Sequence, residues 1–526
     1  MKCLLDLRLR VVVAALALWL TSLPISQAAA AASAAAEPSA TLMIVGDVML
    51  GRGVARQMAR YSADYPLRDV WPLLQAADLT VGNLECTISE RGQARPGPYR
   101  LRAQPGAAGA LARAGFDLLS LANNHAGDFG EEAFLDTLDY LKGEGIATLG
   151  AGRSAEEARK PAVRVVRGIK IAFLAYDTLG GEWLPPQRAA VARLDLPRLS
   201  DEIRQAKSRS DVLVVSFHWG DEYSRIPSAR QRQVAQIAAQ AGADLVIGHH
   251  PHVFQGVSLV EGAPVAYSLG NFVFDQDFNP DAGQGLAVQV AIDRRGVRSL
   301  RAVPVKIRLG RASPAPPADE KQMLDLLAKL SSPALEWTYD LRWQAGDYAL
   351  APKLTWQRPE SAPAEQWEDL DGDGWPERLG RAADGRLILQ QRRGPLWLRA
   401  WESDRRWQVG QALLADVDGD GRLELAFTMW RLDERGRAGN HLFIYRWQRG
   451  ALRKAWCGSA LADPIRHFTV KDLDDDGQPE LIVLEGSYGE AADTPAHYVT
   501  IWRWNGFGFI NEWRSEPGRY GEVKVS

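Results

Sequence analysis

The sequence predicts an α/β domain followed by a mostly β repeat domain. Two observations carry this expectation: short apolar runs alternate with helical patterns from residue 41 to about 310, and an acidic motif recurs three times after residue 362. The chain has 526 residues, more than one hydrophobic core usually organises. Its formal net charge of −3 gives no indication of a sequence-independent nucleic-acid binder, so no nucleic-acid partner is expected.

The first 28 residues have the order of a secretory signal peptide. Lys2, Arg8 and Arg10 precede an apolar run from Val11 to Leu20, and the small residues around Ala28 follow. We therefore expect export to the periplasm, the cell envelope or the medium, with a mature chain that begins near Ala29. The alternative is an uncleaved N-terminal anchor, although the run is short for a membrane-spanning helix.

The segment 41–310 alternates strand-like and helix-like patterns. Runs such as Leu42–Val45 and Val212–Ser216 are separated by helical candidates, and this alternation favours a sheet covered by helices. The helical candidates are Glu131–Lys142, Leu199–Ser208 and Ala229–Ala241.

A change of composition marks the second domain. Residues 312–319 read Ala-Ser-Pro-Ala-Pro-Pro-Ala-Asp, so residues 311–361 are expected to form a linker with a short helix at Glu320–Leu330. Fourteen of the 18 tryptophans lie after residue 336, and short strand patterns separated by turns follow. We expect a mostly β domain over residues 362–526.

That domain contains three copies of an acidic motif, which start 47 and 56 residues apart. Aspartates at positions 1, 3 and 5, glycine at 6 and glutamate at 9 resemble the calcium loops of FG-GAP or VCBS-type β-repeats, and the spacing suggests a partial propeller. The alternative is three polar turns without an ion, since Asp-Gly pairs also form turns. The predicted calcium ligands are Asp369, Asp371, Asp373 and Glu377; Asp416, Asp418, Asp420 and Glu424; and Asp472, Asp474, Asp476 and Glu480.

In the first domain, potential metal ligands follow the strand-like runs. Asp47, Glu85 and Asn124 each come just after such a run, and five of the eight histidines lie in these clusters. Ligands in open α/β sheets bind at the carboxyl ends of strands. Imidazole with carboxylate suits Zn, Mn or Fe, and two such ions polarise a phosphoryl oxygen and generate hydroxide at neutral pH.

The order of these clusters resembles one known family. Gly46-Asp47, Asn83-Leu84-Glu85, Asn123-Asn124-His125, His218, Gly248-His249-His250-Pro251-His252 and Ser268-Leu269-Gly270-Asn271-Phe272 resemble the CapA family of poly-γ-glutamate capsule biosynthesis proteins. That family looks like a branch of the calcineurin-like metallophosphoesterases. The resemblance implies a four-layer fold with two β-sheets between helical layers.

The resemblance also implies roles for single residues. It makes Asp47, Glu85, Asn124, His218, His250 and His252 metal ligands, with Glu85 as the bridge between two ions. It makes His125 the catalytic histidine, which assists the leaving group or stabilises transition-state charge. Two departures from the wider superfamily bear on catalysis: Met49 replaces an expected histidine, and Glu85 replaces an expected aspartate. A one-metal site, or a binding fold without a reaction, therefore stays open.

Further residues near these motifs are candidates for orienting the ligands or holding a substrate. They are Arg52, Asn83, Asp128, Glu222, His249 and Asn271. Each also has a plain reading as a surface or turn residue. Cys86 and Cys457 lie in different predicted domains and are expected to be free thiols.

Three functions fit the sequence. The first is an exported capsule or exopolymer biosynthesis protein that acts with an anionic polymer or another envelope component, together with other capsule-synthesis proteins. The second is a metal-dependent phosphomonoesterase or phosphodiesterase of the envelope. The third is a calcium-dependent binding or adhesion protein whose first domain is a scaffold.

Overall fold

The computed structural model describes residues 38–180, 189–331, 336–344, 347–358, 367–382, 384–393, 396–432, 437–448, 450–457, 461–490 and 494–525. The expected signal peptide, residues 1–28, lies outside these ranges. Within them, no helix is long and apolar enough to cross a membrane.

Eight α-helices lie in the described part of the chain, all before residue 331. The four expected helices are present with shifted ends, and the sequence analysis did not identify the other four, α1, α2, α3 and α5. In chain order the helices are α1 (Arg52–Arg60), α2 (Trp71–Gln75), α3 (Gly106–Ala114), α4 (Gly130–Gly143), α5 (Ala155–Ala158), α6 (Leu196–Lys207), α7 (Ala229–Gln240) and α8 (Pro317–Leu330).

The strands form two large sheets and two two-stranded sheets in the first domain, and three four-stranded sheets after it. The first twenty are β1 (Ala40–Val48), β2 (Leu79–Leu84), β3 (Thr87–Ile88), β4 (Arg102–Ala103), β5 (Leu118–Ser120), β6 (Ala147–Leu149), β7 (Ala151–Gly152), β8 (Ala162–Val166), β9 (Ile169–Asp177), β10 (Ala190–Val191), β11 (Val212–His218), β12 (Leu245–His249), β13 (Val257–Val260), β14 (Ala263–Ala266), β15 (Asn271–Val273), β16 (Gln284–Asp293), β17 (Gly296–Arg308), β18 (Arg311–Pro314), β19 (Glu336–Gln344) and β20 (Asp347–Gln357). The remaining strands are β21 (Trp367–Glu368), β22 (Glu377–Arg381), β23 (Leu387–Arg393), β24 (Leu396–Glu402), β25 (Val409–Ala415), β26 (Glu424–Leu432), β27 (Ala438–Gln448), β28 (Ala451–Cys457), β29 (Ile465–Lys471), β30 (Glu480–Glu485), β31 (Tyr498–Trp504), β32 (Phe509–Arg514) and β33 (Glu522–Val525).

The first domain is built on these two large sheets. The first has the order β33-β19-β20-β17-β16-β1-β2-β5-β6, with β15 beside β1 and β18 beside β17. The second has the order β13-β14-β12-β11-β9-β8, and the two-stranded sheets are β3-β4 and β7-β10. Strands β1, β2, β5 and β6 run parallel, as do β9, β11, β12 and β14. The carboxyl ends of each parallel set therefore share one edge.

Alternate residues of each central strand point into different hydrophobic cores, which reveals the order of sheet and helix layers. Leu42 and Ile44 pack with Phe173 and Val214 between the two sheets. Met43 of the same strand faces the helices outside the first sheet. Residues such as Leu213 face α6 and α7 outside the second sheet. Helices thus cover both outer faces of a pair of sheets, which is the four-layer order that the resemblance implied.

The structure differs from the expected linker over residues 311–330. Residues 311–314 form β18, which pairs with β17. Helix α8 buries Met323, Leu324 and Leu327 in the core between the sheets. Strand β20 then pairs with β17 and adds Trp356 to the same core. The proline-rich stretch is a connection inside the first domain, because the apolar face of α8 has a core to enter.

The C-terminal β domain is present and contains three four-stranded sheets. Their orders are β21-β22-β23-β24, β25-β26-β27-β28 and β29-β30-β31-β32, and all neighbours are antiparallel. One apolar cluster joins the first and second sheets, and another joins the second and third. Strand β33 leaves this array and pairs with β19 of the first domain.

Candidate metal centre

The strand ends of the two sheets bring the predicted ligands together. Asp47, at the end of β1, lies opposite Asn83 of β2 and Asn271 of β15. In the second sheet His218 lies opposite His249. Glycine is required where strands meet: a Cβ on Gly46 would lie 2.0 Å from the carbonyl oxygen of Gly270.

Glu85 lies at the centre of the cluster. Its Oε1 is 3.8 Å from His252 Nε2, 3.9 Å from His125 Nε2 and 4.0 Å from His218 Nε2. Glu85 belongs to two groups of potential metal ligands, whose donor atoms lie within 4.8 Å of one another in each group. One group is Glu85, His218 and His250, and the other is Asp47, Glu85 and His252. This arrangement fits a carboxylate shared by two ions.

Both carboxylate oxygens of Glu85 are buried without a hydrogen-bond donor, as is Nδ1 of His250. An uncompensated buried carboxylate is costly, and native proteins rarely keep one without a partner. The residues present therefore fit a bound divalent metal, which would supply the missing positive charge.

The pKa shifts within the cluster also fit a bound divalent metal. Burial raises the pKa of Glu85 well above its usual value, and the negative charges of Asp47 and Glu222 add to this. Burial also tends to raise the pKa of Asp47, but His249 and His252 hold it well below its usual range. Burial lowers the pKa of His218 well below its usual value and that of His250 to about 3, so both imidazoles are neutral and ready to bind a metal.

Hydrogen bonds orient the first ligands. The Asn83 amide donates to Asp47 Oδ1 at 2.9 Å, and the backbone N–H of His250 donates to Asp47 Oδ2 at 3.2 Å. His252 Nδ1 lies 2.9 Å from Asn271 Oδ1, which leaves Nε2 of the ring facing Glu85. Such contacts set the tautomer and the direction of a metal-binding imidazole.

Asn124 and His125 lie at the same site. Asn124 Oδ1 is 2.8 Å from His218 Nε2, and that nitrogen is 4.0 Å from Glu85 Oε1, so the amide oxygen lies near the Glu85 carboxylate. His125 Nδ1 is 2.8 Å from Asp128 Oδ2, and the backbone N–H of Leu101 donates to that same oxygen at 2.7 Å. Asp128 thus holds the His125 ring with Nε2 directed toward Glu85.

The other candidates have distinct positions. His249 Nδ1 lies 3.2 Å from Asp47 Oδ1, so it contacts a ligand from behind. Glu222 is exposed, with its carboxylate within 4.8 Å of donor atoms of His250 and His252. Arg52 is neither a free cation nor a plain surface group, because it pairs with Asp275 and its guanidinium lies 5.6 Å from the Phe274 ring centre.

Backbone strain is concentrated at this centre. Eight non-glycine residues in the described ranges have a positive φ, and four of them are Arg52 (44°), Tyr223 (61°), His250 (97°) and His252 (59°). Conformations of this kind are unfavourable for residues with a Cβ and persist where the surroundings impose them, often at functional sites.

The sequence analysis did not assign three residues that shape the centre. Asn123 donates to Asn83 Oδ1 at 3.1 Å and accepts the backbone N–H of His125 at 3.1 Å. Asp275 pairs with Arg52 and accepts the N–H of Gly53 at 2.8 Å. Tyr223 packs 6.0 Å from the His252 ring. The position of Asn123 within the Asn-Asn-His motif could have identified it from the sequence. Asp275 and Tyr223 reach the centre through loop contacts that no sequence motif indicates.

Met49 and Cys86 show no sign of metal chemistry. Met49 is buried in the core outside the first sheet, so it does not substitute for the absent histidine. Cys86 is a buried free cysteine, and burial raises the pKa of its thiol to about 12. The Cys457 side chain lies outside the described residues.

The acidic motifs form three similar loops, each between the first two strands of its sheet. In each loop the first aspartate accepts backbone N–H groups of the same loop, as a polar turn does. In two loops an arginine of the third strand pairs with the buried glutamate. In the first loop the neutral Gln391 takes that place, and Arg393 of the third strand lies 3.6 Å from Asp373. The contacts are Arg446 with Asp418 and Glu424, Arg503 with Asp474, Asp476 and Glu480, and Gln391 with Asp373 and Glu377.

Comparison with known proteins identifies the first domain. A family profile described as "Bacterial capsule synthesis protein PGA_cap" matches residues 41–276. The chain is 32% identical over 309 residues to "Capsule biosynthesis protein CapA" of Bacillus anthracis, covering 57% of this chain and 75% of that protein. The chain belongs to the CapA family. A second CapA, the "PGA biosynthesis protein CapA" of Bacillus subtilis (strain 168), is 33% identical over 277 residues, which are 52% of this chain and 72% of that protein.

A more distant CapA relative has a related description. The "Probable polyglutamine synthesis accessory protein" of Mycobacterium tuberculosis is 29% identical over 289 residues, covering 45% of this chain and 75% of that protein. The matched segment of the CapA profile contains Asp47, Glu85, His218, His250 and His252. The C-terminal β domain lies outside it.

Proposed function

We propose that this CapA-family chain is an exported protein of capsule or exopolymer biosynthesis, which acts on an anionic polymer such as poly-γ-glutamate through a two-metal centre. Membership of the CapA family supports the biosynthetic role. The observation that carries the metal centre is Glu85, which is buried without a hydrogen-bond donor among three imidazoles.

Two groups of side chains would hold the ions. Asp47, Glu85 and His252 form one site, and Glu85, His218 and His250 form the other, with Asn124 beside His218. Mn, Zn or Fe suits this mixture of carboxylate and imidazole. When bound, such ions act as Lewis acids and lower the pKa of a bound water.

His125 is suited to a charge-stabilising or proton-donating role. Asp128 Oδ2 lies 2.8 Å from its Nδ1, which directs Nε2 toward Glu85. Its side chain is more open to solvent than the buried His218 and His252 rings. A polymer or ester bond at the mouth would therefore meet His125 beside the metal ligands.

Replacement of Glu85 by Gln in the producing organism tests this function. Glutamine keeps the size of the side chain but removes the charge shared by the two ions. We expect the cells to lose polymer, measured as glutamate released by acid hydrolysis of the cell-associated and secreted fractions. Normal polymer with a metal-free variant would mean that the centre has no part in biosynthesis.

The matched control is Asp244→Asn, a carboxylate held by Lys207 Nζ at 2.7 Å and by the backbone N–H of Leu213 at 2.7 Å. It should leave polymer formation intact at equal protein levels. The phosphoesterase alternative is separated by incubating purified protein and Mn²⁺ with a generic phosphate ester: turnover that Glu85→Gln abolishes would favour it.

We also propose that the C-terminal domain binds calcium, most strongly at its first acidic loop. Asp371 Oδ1 in the first loop and Asp418 Oδ1 in the second are buried acceptors without a hydrogen bond. The guanidinium of Arg446 already neutralises the second loop, as that of Arg503 does the third. In the first loop the neutral Gln391 amide contacts Glu377, and Arg393 reaches only Asp373, at 3.6 Å. Asp369, Asp371 and Glu377 therefore have no ion pair among the described residues and keep more need of a cation.

Thermal unfolding of the full chain, followed by tryptophan fluorescence, tests the calcium site, because 14 of 18 tryptophans lie after residue 336. For a Kd of roughly 10⁻⁴–10⁻³ M, 10 mM calcium stabilises by about 1.4–2.7 kcal/mol. Asp371→Asn should abolish the shift, whereas Asp474→Asn in the third loop should keep it. Equal midpoints with calcium and with chelator would leave the loops as turns.

Export is part of the same proposal. It is supported by the order of charged, apolar and small residues in the first 28 positions. N-terminal sequencing of the protein from envelope and culture fractions should find a start near Ala29. An intact Met1 terminus in the mature protein would contradict cleavage.

A further inference from the structure

The mouth of the metal centre carries exposed aromatic side chains. Tyr99, Tyr223 and Phe278 have exposed fractions of 61, 37 and 75%. They come from three different loops, after β3, after β11 and after β15. Together we call them the aromatic rim. Exposed aromatic groups that gather at one place commonly mark an interaction site.

The aromatic rim is continuous with the metal centre. The Tyr223 ring lies 6.0 Å from the ring of His252 and 6.3 Å from that of Phe278, which meets it edge-on. Asp128, which contacts His125, also accepts the backbone N–H of Leu101, so the loop that carries Tyr99 borders the same centre. A ligand that reaches from His252 to Phe278 extends beyond a single metal-bound group.

The loops of the aromatic rim are fixed in place. The backbone N–H of Tyr223 donates to the carbonyl of Pro251 at 2.7 Å. Arg225, in the same loop, pairs at 3.2 Å with Asp281, in the loop of Phe278. Leu101 ties the loop of Tyr99 to Asp128. A preorganised surface of this kind loses little conformational entropy when it binds.

The first loop also supplies positive charge. The guanidinium of Arg100 donates to the backbone carbonyls of Arg95 and Tyr99, and that of Arg102 lies 4.2 Å from the Phe129 ring centre. Neither has a carboxylate within ion-pair distance in the described ranges. The backbone of Arg102 packs against Gly51, the residue before Arg52: a Cβ on Gly51 would lie 2.7 Å from the carbonyl oxygen of Arg102. Asp221 and Glu222 lie in the second loop, so the positive side of the mouth is that of the first loop.

We propose that the aromatic rim, with Arg100 and Arg102, is a docking surface for an extended chain that carries carboxylates along its length. The guanidinium groups bind carboxylates, and the aromatic faces pack against the methylene and amide parts of the chain. This rests on the proposed function for the nature of the polymer, but not for the metal. A membrane surface fits less well, since the aromatic rim leads inward to buried imidazoles.

Fluorescence anisotropy of labelled poly-γ-glutamate of defined length, titrated with the full chain, tests the docking surface. Each truncation Tyr99→Ala, Phe278→Ala or Arg100→Ala should weaken binding about three- to tenfold, since an aromatic contact is worth about 0.5–1.5 kcal/mol and 1.4 kcal/mol is tenfold. Added salt should weaken wild-type binding. Unlabelled dextran should not compete.

Two residues away from the mouth are matched controls. Phe507 is 91% exposed in the C-terminal domain. Arg164 is a partly exposed residue of β8 whose guanidinium donates to the carbonyl of Val163. Phe507→Ala and Arg164→Ala should bind the polymer as the wild type does. All variants should keep the wild-type metal content and fold.

Three results would overturn the docking surface: wild-type affinity in the variants of the aromatic rim, equal losses in the controls, or binding to anionic phospholipid vesicles without binding to the free polymer. The last would make this face a membrane contact. Metal content distinguishes a refuted docking surface from a refuted metal centre. If a variant loses polymer binding but keeps its metal, the two-metal centre is still supported. Loss of metal in Glu85→Gln without loss of docking leaves the aromatic rim standing.

Discussion

Glu85→Gln should change the stability of the protein in opposite directions with and without metal. In the metal-free protein Glu85 is a buried carboxylate without hydrogen-bond donors, near the negative charge of Asp47. Because the pKa of Glu85 is raised, its contribution to the free energy of unfolding is fully present at pH values below the unfolded-state pKa. That contribution is lost as the pH rises toward the folded-state pKa. Each unit of difference costs about 1.4 kcal/mol at high pH.

The experiment is therefore done at pH 8 with a chelator, where His218 and His250 are neutral in both the folded and the unfolded state. Glutamine leaves a neutral amide, whose burial costs less than that of a charge. We expect the variant to be more stable than the wild type by about 1–3 kcal/mol. At about 2–4 °C per kcal/mol, the midpoint of thermal unfolding should rise by at least about 2 °C.

Metal should reverse this order. An ion at 100 times its Kd stabilises the folded wild type by about 2.7 kcal/mol, and the variant should gain little of this. Differential scanning calorimetry with chelator and with Mn²⁺ gives the four midpoints. Asp244→Asn is the control: it should respond to metal as the wild type does. A Glu85→Gln protein that is less stable without metal and responds normally to Mn²⁺ would refute the reasoning.

Three further results are expected. Leu324→Ala should destabilise the first domain by about 2–5 kcal/mol in denaturant unfolding, because this residue of α8 is buried in the core between the sheets. A change below about 0.5 kcal/mol would support the interpretation of this segment as a linker. His125→Ala should keep the metal, measured by mass spectrometry, and lose polymer formation; metal loss would instead make His125 a ligand. Glu485→Gln should stabilise the protein by up to about 3 kcal/mol at pH 8 and by little at pH 4.5. Burial raises the pKa of Glu485 to about 7, so the cost of burying the ionised carboxylate appears only as the pH rises from about 4.5 to 7. Equal effects at both pH values would contradict this.

The sequence predicted the positions of the site residues well, because their placement follows from strand ends. Asp47, Glu85 and His218 each follow an apolar run, and the edge of a parallel sheet brings such positions together. The structure places these side chains at one centre.

Other features depend on contacts that no local pattern encodes. The pairing of β33 with β19 joins segments about 180 residues apart. The proline-rich stretch before α8 has the composition of a linker, and only the buried face of Leu324 and Leu327 shows that it belongs to the core. Arg446 and Arg503 enter the acidic loops from the third strand of their sheets, so the three similar motifs are not equivalent as cation sites.

Metal stoichiometry is the most direct test of the central claim. Full-length protein purified after growth with added Mn and Zn would be analysed by inductively coupled plasma mass spectrometry, with circular dichroism as the check of folding. The account predicts close to two transition-metal ions per chain in the wild type, well under half of that in Glu85→Gln, and no change in His441→Ala, a buried histidine of the C-terminal domain. Folded wild-type protein without bound metal, or a Glu85→Gln protein with full metal, would contradict the two-metal centre.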